Sequence, residues 1–401
     1  MSPVEELRAL ESRYAMPTYP RAPVEFVRGE GARLWDAEGR EYLDLFSGLS
    51  VHNAGHCHPL IVAAIQEQAA TLAGTSNLFY SEPAMRLSER LVSLSLGGRA
   101  FLCNSGAEAN ECAIKLVRRR AHARGIDRPE IVVLDHAFHG RTIATLAATP
   151  RLAREDLFGP LPEGFVTVPH DDPQALRDAV GERTAAVMVE PIQGESGVHP
   201  IHADVLVAAR EACDAAGALL VFDEIQTGMG RTGTLWAYES GPVRPDVMTA
   251  GKALGGGLPV GACVIGPQVG EGLVAGEHGS TFAGGPITAR AALAALEVLS
   301  APDLLRGVRE RGEELRSGLA GAGQGAITEV RGRGLMLGIG LAEGAESPAI
   351  ARAALTGGLV INAPNPSTIR LLPPLTISAE EAAEGLERLL AAIDAASVPA
   401  A

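Results

Sequence analysis

Two stretches decide the reading of this chain: Ala218-Leu-Leu-Val-Phe-Asp223 and Val247-Met-Thr-Ala-Gly-Lys-Ala-Leu-Gly-Gly-Gly257. Each opens as a short apolar run, the pattern of a strand buried on both faces. The first run stops on Asp223, and the second leads into a glycine-rich turn that holds Lys252. The 29 residues from Asp223 to Lys252 make room for one βα unit and a strand, so both side chains reach adjacent strand ends.

Outward from this pair, similar runs recur at 100–103, 131–134, 166–168, 185–190 and 260–265. Amphipathic segments such as 59–72, 108–124 and 204–216 fall between them. Strands alternating with helices predict an α/β fold whose mostly parallel sheet is covered on both faces. Ligands bind beyond the carboxyl ends of such strands. Asn104, Ser105, His136 to His139, Glu190, Asp223 and Lys252 all fall at those ends. The last hundred residues read differently: a helix at 302–319, strand-like 334–340, 359–362 and 368–372, and a final helix at 379–396. We expect a large domain at 57–295 and a smaller α+β domain at 296–401, joined by an N-terminal segment, 1–56.

Composition bounds the function. With 401 residues, 46% of them hydrophobic, the chain has ample material for a core, and disorder is excluded. A net charge of −14 argues against a nucleic-acid partner. The uncharged stretch 253–270 is broken by repeated Gly and two Pro, so no membrane helix is expected. Five cysteines without a C-x-x-C pair, and no secretory pattern at the N-terminus, lead us to expect a reducing, cytoplasmic setting.

Of 34 basic residues only Lys115 and Lys252 are lysine. A guanidinium neither loses its proton at ordinary pH nor forms a Schiff base, whereas a lysine amine does both. Codon bias is the plain alternative. Lys115 sits beside Arg118, Arg119 and Arg120 on what reads as a solvated helix face; Lys252 sits in its glycine turn. Asn104-Ser-Gly-Ala-Glu-Ala-Asn110 joins a strand to a helix, and its small residues open backbone N–H groups and the helix dipole to an anion. Alone, the signal is weak and reads more readily as an ordinary N-cap at Ser105. A carboxylate, a lysine and a phosphate cradle together suit pyridoxal phosphate; a buried ion pair would need no cradle.

With these residues the chain resembles the class III pyridoxal-phosphate aminotransferases, and within them the acetylornithine aminotransferases. The stretches that carry the resemblance are Gly55-His-Cys-His-Pro59, 104–111, Ala137-Phe-His-Gly-Arg-Thr142, Glu190-Pro-Ile-Gln-Gly-Glu195, 222–232, 252–257, His278-Gly-Ser-Thr-Phe282 and Ile369-Arg-Leu-Leu-Pro-Pro374. The resemblance implies fold type I of the pyridoxal-phosphate enzymes. It implies that Lys252 forms the Schiff base with pyridoxal 5'-phosphate and shuttles the proton, and that Asp223 pairs with the pyridinium nitrogen. Gln226 would bond the ring hydroxyl, Phe138 and Ile225 would flank the ring, and Ser105, Gly106 and Ala107 would hold the phosphate. Thr281 would reach the phosphate of a neighbouring subunit, which implies a homodimer with shared sites. Arg141 and Ser280 would meet substrate, and Glu195 with Arg370 would form a switch between the two half-reactions.

The implied reaction moves the terminal amino group of N2-acetylornithine to 2-oxoglutarate, in arginine biosynthesis. The alternatives are another ω-amine donor (ornithine, 4-aminobutyrate, succinylornithine or a lysine-pathway analogue) and an aminomutase. Ala107, Ser196 and Pro286 depart from the family pattern. His52, His56, Cys57 and His58 superficially resemble a metal site, but the resemblance makes that stretch a turn before a helix. No metal is expected, and His139 reads as a structural neighbour of the ring stack.

Overall fold

The apolar runs build one sheet of seven strands, in the order Arg99–Cys103, Gly261–Ile265, Val247–Ala250, Leu219–Asp223, Thr184–Val189, Glu130–Leu134, Phe165–Val168. This computed structural model describes residues 3–321 and 325–397; the outer ends of the first and last expected segments, 1–2 and 398–401, lie outside the described residues. Only Gly261–Ile265 runs antiparallel to its neighbours. Every residue of Thr184–Val189, Leu219–Asp223, Val247–Ala250 and Gly261–Ile265 is buried, which is why these strands read as unbroken apolar runs rather than alternating ones.

Helices cover the sheet through apolar stripes of helical period. Gly106–Ala123 buries Ala109, Cys112, Ala113, Leu116 and Val117 and packs on Gly261–Ile265 and Val247–Ala250. Ala203–Ala216 packs on Leu219–Asp223 and ends at Gly217, whose φ of 64° is the left-handed cap that glycine adopts without strain. Six strands share one direction, so their carboxyl ends open on one crevice.

Two smaller sheets frame that crevice. Ile327–Arg333, Met336–Leu341, Thr368–Leu371 and Asn362–Asn365 form an antiparallel sheet in that order. Phe26–Glu30, Arg33–Asp36, Glu41–Asp44 and Leu359–Val360 form another. The single strand expected at 359–362 is therefore two, one in each sheet, because the chain breaks its pairing at Ile361. The edge strand Ile327–Arg333 is absent from the sequence reading. The boundary expected at 295 falls inside the helix Pro286–Leu299; the helical run breaks after Leu299, before Pro302–Ala320. We propose the domain division there.

Arg231 ties the parts together. Fully buried, it donates from Nη1 to the carbonyls of Leu335 (2.9 Å) and Pro373 (2.7 Å), and from Nε to Ser50 Oγ (2.9 Å). Burial, only partly opposed by Asp44, lowers its pKa to about 9. Among the described residues no helix is long and apolar enough to cross a membrane.

Candidate active site

Asp223 ends its strand at the centre of the crevice, 4% exposed. Its Oδ2 accepts from Asn110 Nδ2 and His139 Nδ1, each at 2.8 Å, and Oδ1 accepts from the Ile225 amide at 3.1 Å. Asn110 is itself fixed on both sides. Its Nδ2 also donates to the His139 carbonyl (2.7 Å), and its Oδ1 accepts from Thr249 Oγ1 (2.7 Å). Burial alone would lower the His139 pKa, but its hydrogen bond to Asp223 and that residue's charge raise it on balance.

Lys252 opens a short turn of helix, Lys252–Gly255, with a φ of 47°. A non-glycine residue in that region costs about 1–3 kcal/mol and persists only where its surroundings fix it. The turn is fixed by a close approach. A Cβ on Gly251 would lie 3.2 Å from the Gly106 backbone, and one on Gly106 would lie 2.7 Å from Ile225. Two glycines thus bring Lys252 against the 105–107 turn. Burial lowers the Lys252 pKa despite the carboxylates of Glu195, Asp223 and Glu190, with Arg370 adding to the depression. More of the amine is then neutral and nucleophilic.

Glu195 and Arg370 face each other beside it. Arg370 Nη1 donates to Glu195 Oε1 at 2.8 Å and to the Gly194 carbonyl at 2.9 Å, while its Nε and Nη2 both reach Asn362 Oδ1. Gln226 joins the pair, donating to Glu195 Oε1 and accepting from Arg370, each at 3.3 Å. Burial pushes the Glu195 pKa up, but Arg370 and Lys252 hold it below its ordinary value. The two partners differ in freedom: the Glu195 side chain is 22% exposed and that of Arg370 is 1% exposed.

The remaining expected residues lie further out. Phe138 is half-buried, its amide donating to Glu190 Oε1 at 2.8 Å, and the Arg141 guanidinium stands 5.7 Å from its ring. Arg141 is exposed. Ser105 caps the helix Gly106–Ala123, its Oγ accepting from the Glu108 amide at 3.2 Å. Ser280 Oγ accepts from Asn104 Nδ2 at 2.9 Å, which sets it beside that turn. Thr281 is exposed, and among the described residues no hydrogen bond joins it to residues 105–107. It lines a groove of about 970 Å³ with Leu78, Ser280 and Phe282.

Residues 14–393 match the aminotransferase class-III family. The chain belongs to that family. It is 47% identical to an acetylornithine aminotransferase of Xylella fastidiosa, with 98% of each chain covered. An N-acetylornithine aminotransferase of Stenotrophomonas maltophilia superposes with a TM-score of 0.84 at 42% identity, covering 96% of this chain and 98% of that one. An ornithine aminotransferase of Toxoplasma gondii, whose structure has partial occupancy of PLP at its active site, superposes at 0.93 with 34% identity, covering 98% and 94%.

Class III membership implies pyridoxal phosphate, and the residues of this aminotransferase fit it. The first N–H groups of the helix at Gly106 have no partner within the helix, the terminus that suits an anion such as a phosphate. Beside them stand a buried carboxylate with a lone pair to spare on Oδ1 and a lysine whose amine is driven toward neutrality. Nothing in the sequence alone links Asn110 or His139 to Asp223. Both lie in quoted stretches, but they sit 113 and 84 residues from Asp223, and no local pattern links them. Arg118, expected on a solvated face, instead donates to the Glu163 carbonyl at 2.6 Å and lies 5.2 Å from the Phe165 ring.

Proposed function

We propose that this class III aminotransferase moves the terminal amino group of N2-acetylornithine to 2-oxoglutarate, the reaction expected of it in arginine biosynthesis. The observation that carries the reading is the Glu195–Arg370 pair, closed at 2.8 Å beside Lys252. Glutamate brings a carboxylate next to its reacting carbon and needs a free arginine there. An ω-amine donor carries none at that place and needs the arginine neutralised. A partly exposed glutamate on a fully buried arginine serves both, because only the glutamate has room to move.

Pyridoxal phosphate, when bound, supplies a carbonyl that condenses with the amine and a ring that accepts the electrons of the broken C–H bond. The chain's own residues do the rest. Asp223 holds a proton on the ring nitrogen and is aimed by Asn110 and His139. Ser105, Gly106 and Ala107 hold the phosphate, Gln226 the ring hydroxyl, and Phe138 and Ile225 the two ring faces. Lys252 Nζ takes the proton from the substrate carbon and returns it, which a depressed pKa favours. Arg141 takes the distant carboxylate of the donor through its planar fork, with Ser280 at the same mouth.

The donor is chosen on identity rather than on shape. The fold overlaps the ornithine enzyme (0.93) more closely than the acetylornithine enzyme (0.84), while sequence identity runs the other way, 34% against 42%. Shape is shared across activities, and the site residues decide. The second reading, ornithine or another ω-amine as donor, draws on that overlap. The aminomutase reading draws on no observation here, since an isomerase has no need of a masked arginine.

We further propose a homodimer. Leu78 and Phe282 are 88% and 78% exposed at the Thr281 groove, and Tyr80, two residues along the chain from Leu78, is 95% exposed, apolar exposure of the kind that marks an interface. Five free thiols suit a reducing, cytoplasmic setting. The deciding experiment is kcat/KM for both half-reactions, with acetylornithine, succinylornithine, ornithine and glutamate, in wild type and Glu195→Ala. The expected result is that the variant keeps or improves glutamate turnover and loses acetylornithine turnover. Equal slowing of both would make Glu195 structural and remove the switch.

A further inference from the structure

Among the described residues, one group of three His, Cys, Asp or Glu side chains offers ligand atoms all within 4.8 Å of one another: Asp135, His136 and His170. It is not the His52–His58 stretch that the sequence raises, where His56 Nε2 is instead paired with Asp44 Oδ2 at 2.7 Å. Asp135 and His136 follow the strand Glu130–Leu134, and His170 follows its neighbour Phe165–Val168, so the pairing of two strands brings the three together.

The group has the internal order of a metal site. Asp135 Oδ1 accepts from both the His170 amide (2.8 Å) and His170 Nδ1 (2.7 Å), so the carboxylate and that ring nitrogen already face each other. An ion seated between them would take the place of the Nδ1 proton, since ligating imidazole nitrogens are deprotonated. Asp135 Oδ2 stands 3.8 Å from His136 Nε2. The His136 and His170 rings lie 5.3 Å apart at 83°, and a third imidazole, His199, stands 6.2 Å from His170. His136 has a φ of 59°, a conformation that points to a local requirement. Gln193, 1% exposed, donates to the Asp135 carbonyl at 2.7 Å and so fixes the loop from behind.

We infer that Asp135, His136 and His170 bind a divalent first-row transition ion such as zinc, at a site separate from Lys252. Imidazole nitrogen with one carboxylate is the donor set such ions prefer, with water completing the shell. Bonds of about 2.0–2.2 Å place tetrahedral ligands about 3.4 Å apart, and rotation of the exposed His136 side chain supplies that closure. An ion there would tie the loop that carries Phe138 and Arg141 to the loop at His170.

The test is zinc titration by calorimetry of the tag-free holoenzyme after dialysis against EDTA. The variants are His136→Asn, which keeps a residue tolerant of positive φ, His170→Phe, and His202→Ala as an exposed control elsewhere. Wild type and His202→Ala should take up about one ion per chain, and both site variants should bind about 10- to 100-fold more weakly. A cobalt-loaded sample should show visible ligand-field bands that either site variant weakens. The site is overturned if wild type takes up no zinc saturably. It is equally overturned if either site variant keeps wild-type affinity, or if His202→Ala loses it as they do.

Discussion

Asp223 and Arg141, two residues assigned to one site, are held very differently. Asp223 is buried, with Asn110 and His139 on one oxygen and the Ile225 amide on the other. Arg141 is exposed, with its guanidinium 5.7 Å from the Phe138 ring. Thr281 is equally exposed, beside the bare apolar side chains of Leu78 and Phe282. A single chain therefore finishes the end that would hold the cofactor ring, whereas the end that would meet substrate is left open. Electrostatic groups act strongly where water is excluded and positions are fixed, so the reacting end has to be built in advance. The recognition end gains its order from what binds to it.

The largest effect should come from the finished end. Lys252→Ala should lower turnover by about 10⁴-fold or more, in the range of a lost positioned base or worse. Lys252→Arg should be as inactive, because a guanidinium keeps its proton and forms no Schiff base. Borohydride reduction of the wild-type holoenzyme should tether the cofactor to Lys252, and peptide mapping that placed it on Lys115 would break the assignment outright.

Asn110→Ala sharpens the same side. It removes the donor to Asp223 and the partner of Thr249 in a buried setting, which should cost about 2–4 kcal/mol of stability. Asn110 acts only through Asp223, so the variant should slow both half-reactions by a similar factor and weaken cofactor retention. A loss confined to one substrate would place Asn110 at the substrate instead.

Much of the fold and the two central site residues were legible in the sequence, and what was not has physical causes. All seven central strands could be read because their runs are mainly apolar, and four of them are buried at every residue. Ile327–Arg333 was not, since it is a half-exposed edge strand with charged residues and Gly332 in it. The short polar strands Phe26–Glu30 and Glu41–Asp44 carry equally little signal. Lys252 stood out by the scarcity of lysine, and Asp223 by where its strand ends. Their supports did not, because Asn110 meets Asp223 only after the helix Gly106–Ala123 has docked on the sheet. The metal-type cluster of Asp135, His136 and His170 was hidden for the same reason: its members belong to different strand ends.

At the open end, Arg141→Ala should cost the ω-amine donor about 2–3 kcal/mol in kcat/KM, roughly 30- to 150-fold, by leaving its carboxylate without a bidentate partner. Stability should hardly change, because the side chain is exposed and anchors nothing in the core. Steady-state kinetics together with thermal unfolding separates the two. A large fall in melting temperature would mean that this end is as finished as the other, and the contrast would fail.

The smallest expected effect tests how dry the finished end is. Glu190 accepts from the Phe138 amide, and burial, countered in part by His139, raises its pKa to about 7. An unfolded glutamate ionises near 4.5, so between about pH 4.5 and pH 7 the folded protein holds a proton that the unfolded chain has released. Stability contributed by this group must therefore fall as pH rises through that window and level off above it. Glu190→Gln keeps an acceptor for Phe138 but has nothing to titrate. Its melting temperature relative to wild type should rise from about pH 5 to about pH 7.5, by a few degrees, for a linkage on the order of 1–3 kcal/mol. Glu224, which burial raises to about 6, titrates in both proteins and cancels in the difference. If the difference stays flat across the window, an ionised Glu190 is as well accommodated in the folded crevice as in water. The pocket around Asp223 would then be wetter than its burial indicates.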